Sequence, residues 1–315
     1  QKANLSGTVA NIVAKNVQLS TAKNTELLGA FTIKGLPKIN STVFNFNIKK
    51  LKTSAKDVDY LVAKLSDQKT FKLPQQLSSF DDVIFNGSFV GLYNDFNVNG
   101  NFNTALGNLA TSTKINIKNP LSYNGNISSD HFFVGTLIDD NTINSTAFNL
   151  KFNGSGLKID DLSLKFDGNI NNISLQNYTY EKLLLTGNLD KKILDLKGQI
   201  VDNNLDLNFT SIIDWQQQNP TYLLNTKVNY AALNKLHWVD KDSIVINSAT
   251  INTNLVGSSL NTIVGHLYAD SIKMSTTKGD FKINSVDFNA DGDEKNRSLS
   301  LQSDVVDAQI NGNID

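Results

Sequence analysis

The sequence predicts an all-β protein built on one long antiparallel sheet with an apolar face and a polar face. Three observations carry this. Apolar residues recur at every second position through most of the 315 residues, the period of a strand with one dry side. Short clusters of Asn, Asp, Gly and Lys separate the runs, as tight turns between antiparallel strands require. The motif apolar-x-Gly-x-apolar returns throughout, as Leu5-Ser6-Gly7-Thr8-Val9, Phe85-Asn86-Gly87-Ser88-Phe89, Leu185-Thr186-Gly187-Asn188-Leu189 and Leu196-Lys197-Gly198-Gln199-Ile200. Glycine there stands in for an apolar residue on the dry face, where it lets backbones approach or the sheet bend.

In chain order, residues 5–52 already alternate, through Val17 and Leu19, Phe31 and Ile33, and Phe44, Phe46 and Ile48. At Ser54 the period changes. Val58, Leu61, Val62 and Leu65 fall on one helical stripe, Ser54 is placed to cap it, and Asp57 sits near the positive end of its dipole. This predicts a helix over 55–65, with Pro74 in the loop that follows. Strands are expected around Phe85–Phe89, Phe96–Phe102, Ile115–Ile117, Tyr123–Ile127, Phe132–Leu137 and Phe148–Phe152.

Residues 154–209 alternate most clearly: Leu162, Leu164 and Phe166, then Leu183 and Leu185, Leu194 and Leu196, and Leu205, Leu207 and Phe209. Turns are expected at Asn171-Asn172, Asp190-Lys191 and Asp202-Asn203-Asn204. A strand over Tyr222–Val228 leads into a second short helix near 229–237, and strands return at Ile244–Thr250, Ile251–Leu255, Thr262–Leu267, Ile272–Met274, Phe281–Ile283, Val286–Phe288, Leu299–Leu301 and Val305–Ile310. No Pro-, Ser- or Gly-rich linker divides the chain, so 1–315 reads as one continuous architecture. It starts at Gln1 without a visible signal peptide and stops in mid-alternation, so a segment of a longer protein is expected.

Composition narrows the function. With 40% hydrophobic and 19% charged residues the chain is globular. A net charge of −1, with Lys and Asp interspersed, argues against nucleic acid as a partner, since phosphate binding needs a clustered basic surface. The absence of cysteine removes disulfides and thiolate metal sites. No apolar run approaches the ~20 residues of a membrane-spanning helix.

No catalytic or metal constellation stands out. Residues 287–298 open like a calcium loop, but the twelfth position is Ser298 instead of a bidentate Glu, and strand-like flanks make it a polar hairpin turn. The pairs Asp81-Asp82, Asp139-Asp140 and Asp160-Asp161 read as turns, because neighbours in a strand point to opposite faces. His131, His237 and His266 lack ligand spacing. An enzyme and a cofactor are therefore not expected.

Three blocks go beyond pattern: Phe85–Phe96 followed by Gly100-x-Phe102-x-Thr104; Tyr123-x-Gly125-x-Ile127 followed by Phe133-x-Gly135-x-Leu137; and Tyr178-x-Tyr180, Leu185-x-Gly187-x-Leu189 and Gly198-x-Ile200-x-Asp202-x-Asn204. Over about 80–240 the chain resembles the TamB family of periplasmic translocation and assembly modules, in the wider AsmA-like group. The resemblance implies a sheet curled into a U-shaped, taco-like half-pipe with an oily lumen. It further implies a periplasmic, non-enzymatic conduit for phospholipid between inner and outer membrane that supports outer-membrane biogenesis. It would be anchored by an inner-membrane helix outside this segment and would reach an Omp85-type barrel through regions also outside it.

Physical reasoning meets the resemblance in one place. About twenty one-sided strands own far more apolar face than the few hundred Å² a soluble monomer exposes, and two short helices cannot cover it. Acyl chains would serve as cover. The residues expected to line such a groove are Phe148, Leu150, Phe152, Leu162, Leu164, Phe166, Leu183, Leu185, Leu194, Leu196, Leu205, Leu207 and Phe209. An ordinary sandwich core, or a closed-core secreted β-solenoid or adhesin, would carry the same stripes.

Overall fold

The computed structural model describes residues 1–65, 79–175, 177–240, 243–258, 262–293 and 296–312. The expected all-β class is observed: nineteen strands belong to one antiparallel sheet, with two short α-helices among the described residues. The chain divides into two compact units, Gln1–Lys158 with Ile173–Gln176, and Ile159–Asn172 with Asn177–Asp315. Pro74 lies outside the described residues.

The first unit is a meander of β1 (Lys2–Thr8), β2 (Asn11–Thr21), β3 (Thr25–Lys34), β4 (Val43–Ser54), β5 (Asp82–Leu92), β6 (Asp95–Thr104), β7 (Gly107–Asn116), β8 (Ser122–Phe133) and β9 (Ile143–Ser155), each paired with its sequence neighbour. Registers keep one face largely apolar. Phe31 pairs with Phe46, Phe46 with Phe89, Phe89 with Val98 and Val98 with Thr113. In β2 a bulge interrupts the alternation: Lys15 and Asn16 are both exposed, Ala14 and Val17 both buried, and Asn16 takes φ 52°. Two apolar residues three apart thus stay on one face.

Helix α1 (Ala55–Leu65) forms where the 3.6-residue stripe places it. The Ser54 hydroxyl accepts the Asp57 N–H at 3.2 Å, as its N-cap position requires. Asp57 also reaches outward. Its carboxylate accepts the backbone N–H of Asn24 at 2.7 Å and of Lys23 at 3.4 Å, and the hydroxyl of Thr25 at 2.9 Å. The helix start therefore fastens the β2–β3 turn.

The second unit continues the pattern through β11 (Tyr178–Asp190), β12 (Ile193–Val201), β13 (Leu205–Asp214), β14 (Thr221–Ala232), β15 (Val245–Val256), β16 (Val264–Thr276), β17 (Gly279–Gly292), β18 (Arg297–Ser303) and β19 (Ala308–Gly312). Strand β10 (Ser163–Leu175) contributes residues to both units. Lys191 and Lys192 turn β11 into β12 with φ of 46° and 73°, the positive values of a tight hairpin. Asp202 caps the next turn, its carboxylate accepting the Asn204 N–H at 2.8 Å.

Several local expectations change. The strand pairs expected at Ile244–Thr250 and Ile251–Leu255, at Thr262–Leu267 and Ile272–Met274, and at Phe281–Ile283 and Val286–Phe288 are the single strands β15, β16 and β17, and the last strand starts at Ala308, after Val305. Residues 229–237 are not a second helix: β14 runs to Ala232, whose neighbour Ala231 pairs with both Leu205 and Ile246, and a hydrogen-bonded turn follows over 233–237. Cross-strand pairing there overrides the helical preference of two alanines. Residues Phe132–Leu137 are not all strand either. Helix α2 (Val134–Ile138) interrupts them and ends at Asp139 in the left-handed region, φ 59°. Asn171-Asn172 lie inside β10, not at a turn.

Candidate functional site

Taken strand by strand, the registers of the second unit put one continuous row of side chains on its apolar face. Gly187, Leu196, Ser211, Leu224, Thr253, Leu267, Phe288, Leu301 and Ala308 stand opposite one another in turn from β11 to β19. The larger members of the row are half-buried. Such side chains are partly shielded and partly in contact with solvent.

The buried large apolar side chains gather at one end of the strands. In the second unit Leu183, Leu205, Val228, Ala231 and Leu236 are buried, with Leu205 and Leu236 each 2% exposed. The 233–238 turn folds over this end. The Trp238 indole N–H donates to the Tyr180 hydroxyl at 3.0 Å, and His237 Nδ1 lies 3.0 Å from the Asn177 carbonyl. Beside it the Tyr178 hydroxyl donates to the Asp202 carboxylate and accepts from Asn204 at 3.0 Å. Burial, reinforced by the Asp202 carboxylate, pushes the Tyr178 hydroxyl up to about 12. The strap thus joins β11 to the chain leaving β14, across the ends of β12 and β13.

The first unit has a similar end. Phe85, Leu106, Leu109, Phe132 and Phe148 are buried there, and Phe80 stacks edge-on against Phe132 with centroids 6.1 Å apart. Towards the other strand ends aromatic rings line the apolar face: Phe46 lies 5.7 Å from Phe89, and Phe89 4.2 Å from Phe96.

The second unit also has a hollow of about 420 Å³ lined by Ile244, Met274, Phe281, Ile283 and Val305, with Thr276, Thr277, Lys278 and Lys282 around it. Phe281 is 47% and Val305 64% exposed. Large apolar side chains this accessible beside a concavity are the usual mark of a surface that meets an apolar ligand.

No family model, curated protein or solved structure matches the chain.

The thirteen expected lining residues occupy apolar faces in both units. Phe148, Leu150 and Phe152 stand on β9, opposite Ser129, Ile127 and Gly125. Leu162 precedes β10; Leu164 and Phe166 lie on it. Leu183 and Leu185 on β11 face Ile200 and Gly198, and Leu194 and Leu196 on β12 face Leu189 and Gly187. Leu205, Leu207 and Phe209 on β13 share the face of Ile200 and Gly198. Phe148, Leu183 and Leu205 are buried and the other ten are half-buried.

Sequence reasoning missed the hollow at Met274 and Phe281, because its residues come from two strands and three connecting segments. It also missed the strap, although Tyr178-x-Tyr180 and Asp202-x-Asn204 recur together as polar and aromatic pairs. The calcium-like stretch begins inside β17, with Asp287 bonded to His266 at 2.9 Å, as a hairpin flank would place it. Among the described residues no His, Cys, Asp and Glu side chains gather as a metal set, and no helix is long and apolar enough to cross a membrane.

Proposed function

We propose that this chain is a segment of a lipid-carrying β-groove, in which acyl chains of phospholipid lie along the apolar faces of the meander. The observation that carries this is the row from Gly187 to Ala308 across nine consecutive strands, whose larger side chains Leu196, Leu224, Leu267, Phe288 and Leu301 are all half-buried. An acyl chain gains about 0.8 kcal/mol for each CH₂ it removes from water. A continuous oily lane supplies that gain without directional chemistry. Side chains that keep part of their surface in solvent can accept such a chain without first opening a packed core.

The likeness to TamB-type modules agrees with this reading and extends it to a periplasmic bridge moving phospholipid between membranes. Docking to an Omp85-type barrel would fall to regions beyond this segment.

Native mass spectrometry of the purified protein tests the proposal. Phospholipid should leave the protein on collisional activation, and its amount should fall when Leu196, in mid-row, becomes Asp. A protein that carries no lipid after purification from cells, and takes up none from vesicles, refutes the groove.

A further inference from the structure

Another cavity of the second unit opens on the polar side of its strands. It measures about 660 Å³ and opens among polar side chains of β10 to β15. The registers explain its lining. Lys197 stands opposite Thr210, and Thr210 opposite Asn225; one row along, Gln199 stands opposite Asn208, and Asn208 opposite Lys227. These residues alternate with Leu196, Phe209 and Val228, so they point to the other side of the sheet. The two lysines occupy opposite corners of the patch, their Cα atoms about 12 Å apart by ordinary strand spacing and rise.

Neither lysine has a carboxylate within ion-pair distance among the described residues, whereas Lys52, Lys114 and Lys192 are paired with Asp82, Asp95 and Asp160 at 2.7, 3.3 and 2.5 Å. Asp167 is the one acidic side chain of the lining, and Leu184, 53% exposed, gives it an apolar edge. Between the cations stand amides and a hydroxyl, which both donate and accept and so suit a ligand rich in hydroxyl groups. Lysine, a point charge on a flexible stem, meets a carboxylate without strict geometry.

We propose that this polar trough binds an acidic oligosaccharide, with Lys197 and Lys227 each taking a carboxylate from a different sugar and Gln199, Asn208, Thr210 and Asn225 bonding the hydroxyls between. The net charge of −1 gives the chain no general attraction for polyanions, so the affinity is local to the trough. The site is on the opposite face from the lipid lane and does not depend on it.

The experiment titrates the full chain with a hyaluronan hexasaccharide, which carries a carboxylate on every second sugar, and with neutral chitohexaose, following amide shifts by NMR. The acidic hexasaccharide should shift residues of β12 to β14 and bind at least tenfold more tightly than the neutral one. The double variant K197A/K227A should lose at least tenfold of that affinity and K197R/K227R should keep most of it. Both pairs are on the solvent side, and an unchanged far-UV spectrum confirms their fold. If either variant pair fails to fold, the wild-type shift map decides alone, and shifts outside the trough overturn the proposal. Equal binding of the two sugars, no binding of either, or unchanged affinity in K197A/K227A overturns it as well.

Discussion

The ring of Phe166 occupies the place that a side chain on Gly187 would take. A β-carbon built on Gly187 would lie 2.1 Å from Cζ and 2.4 Å from Cε1 of that ring. Phe209 treats Gly198, its partner across β12 and β13, the same way, with Cε1 at 2.3 Å. These two glycines of the apolar-x-Gly-x-apolar motif are therefore seats for neighbouring aromatic rings, the arrangement by which an aromatic covers the bare backbone of a strand glycine. Neither position needs glycine for its φ, so the requirement is steric.

Gly187→Ala should accordingly destabilise the protein by about 1–3 kcal/mol, the cost of overpacking. Phe166→Leu should recover part of that loss in the double variant, because the ring that clashes is gone. Urea unfolding of the four proteins gives the coupling. Additive effects would show that the ring and the glycine do not share the space.

Leu196→Asp should lower transfer of a fluorescent phospholipid between vesicles several-fold. Its stability cost should stay near the 1–3 kcal/mol of an unsatisfied polar group, since the site is half-buried. Lys197→Asp, one residue away on the opposite face, is the control and should carry lipid normally. Equal transfer by both variants and wild type would contradict the lane.

The strap over β12 and β13 has two separable parts. Trp238→Phe removes the hydrogen bond to Tyr180 but keeps the ring, and should cost about 1 kcal/mol. Leu236→Ala opens a fully buried site and should cost about 2–5 kcal/mol. The ordering of these two losses in denaturant titrations checks the assignment of Leu236 as the anchor.

Asp57 predicts an acid limb of stability. The Asn24 N–H, helped by the Thr25 hydroxyl and the Lys23 N–H, holds its carboxyl below the ordinary 3.8. The folded state therefore prefers the ionised form. That contribution is fully present above about pH 4 and disappears as pH falls through the lowered folded value. Thermal unfolding between pH 2 and pH 6 should show the limb in wild type, and Asp57→Asn should flatten it while lowering Tm at pH 6.

Tyr178 predicts the opposite limb. Its hydroxyl is pushed up to about 12 from an ordinary 10.0, so the folded state holds the proton more tightly than the unfolded chain. Stability from this group is complete below pH 10 and is lost as pH rises towards 12. Ultraviolet titration should show late-ionising tyrosine, since burial raises Tyr180 as well, and Asp202→Asn should move the Tyr178 step to lower pH.

Alternation made most strands legible, and Leu194, Leu196 and Gly198 take the face their spacing implies because period two leaves no other choice. The same rule failed at Phe133, Gly135 and Leu137, where three alternating residues are too few to separate a strand from one turn of helix. It failed again near Ala231 and Ala232, whose conformation is decided by partners in β13 and β15, far away in sequence. Ser54 was readable as a cap, yet the reach of Asp57 to Asn24 was not, since nothing local records which turn will lie beside a helix start. The polar trough was invisible for a related reason. Its lysines sit thirty residues apart and look like ordinary solvated positions until register brings them to one patch.

Within each unit every registered pairing joins a strand to the one just before or just after it. Stability in such a ladder is close to a sum of rung-to-rung terms, as in repeat proteins. A whole hairpin is then a modular unit that duplication or deletion can add or remove without rewiring the remainder, so length is the property this architecture can change most cheaply in evolution.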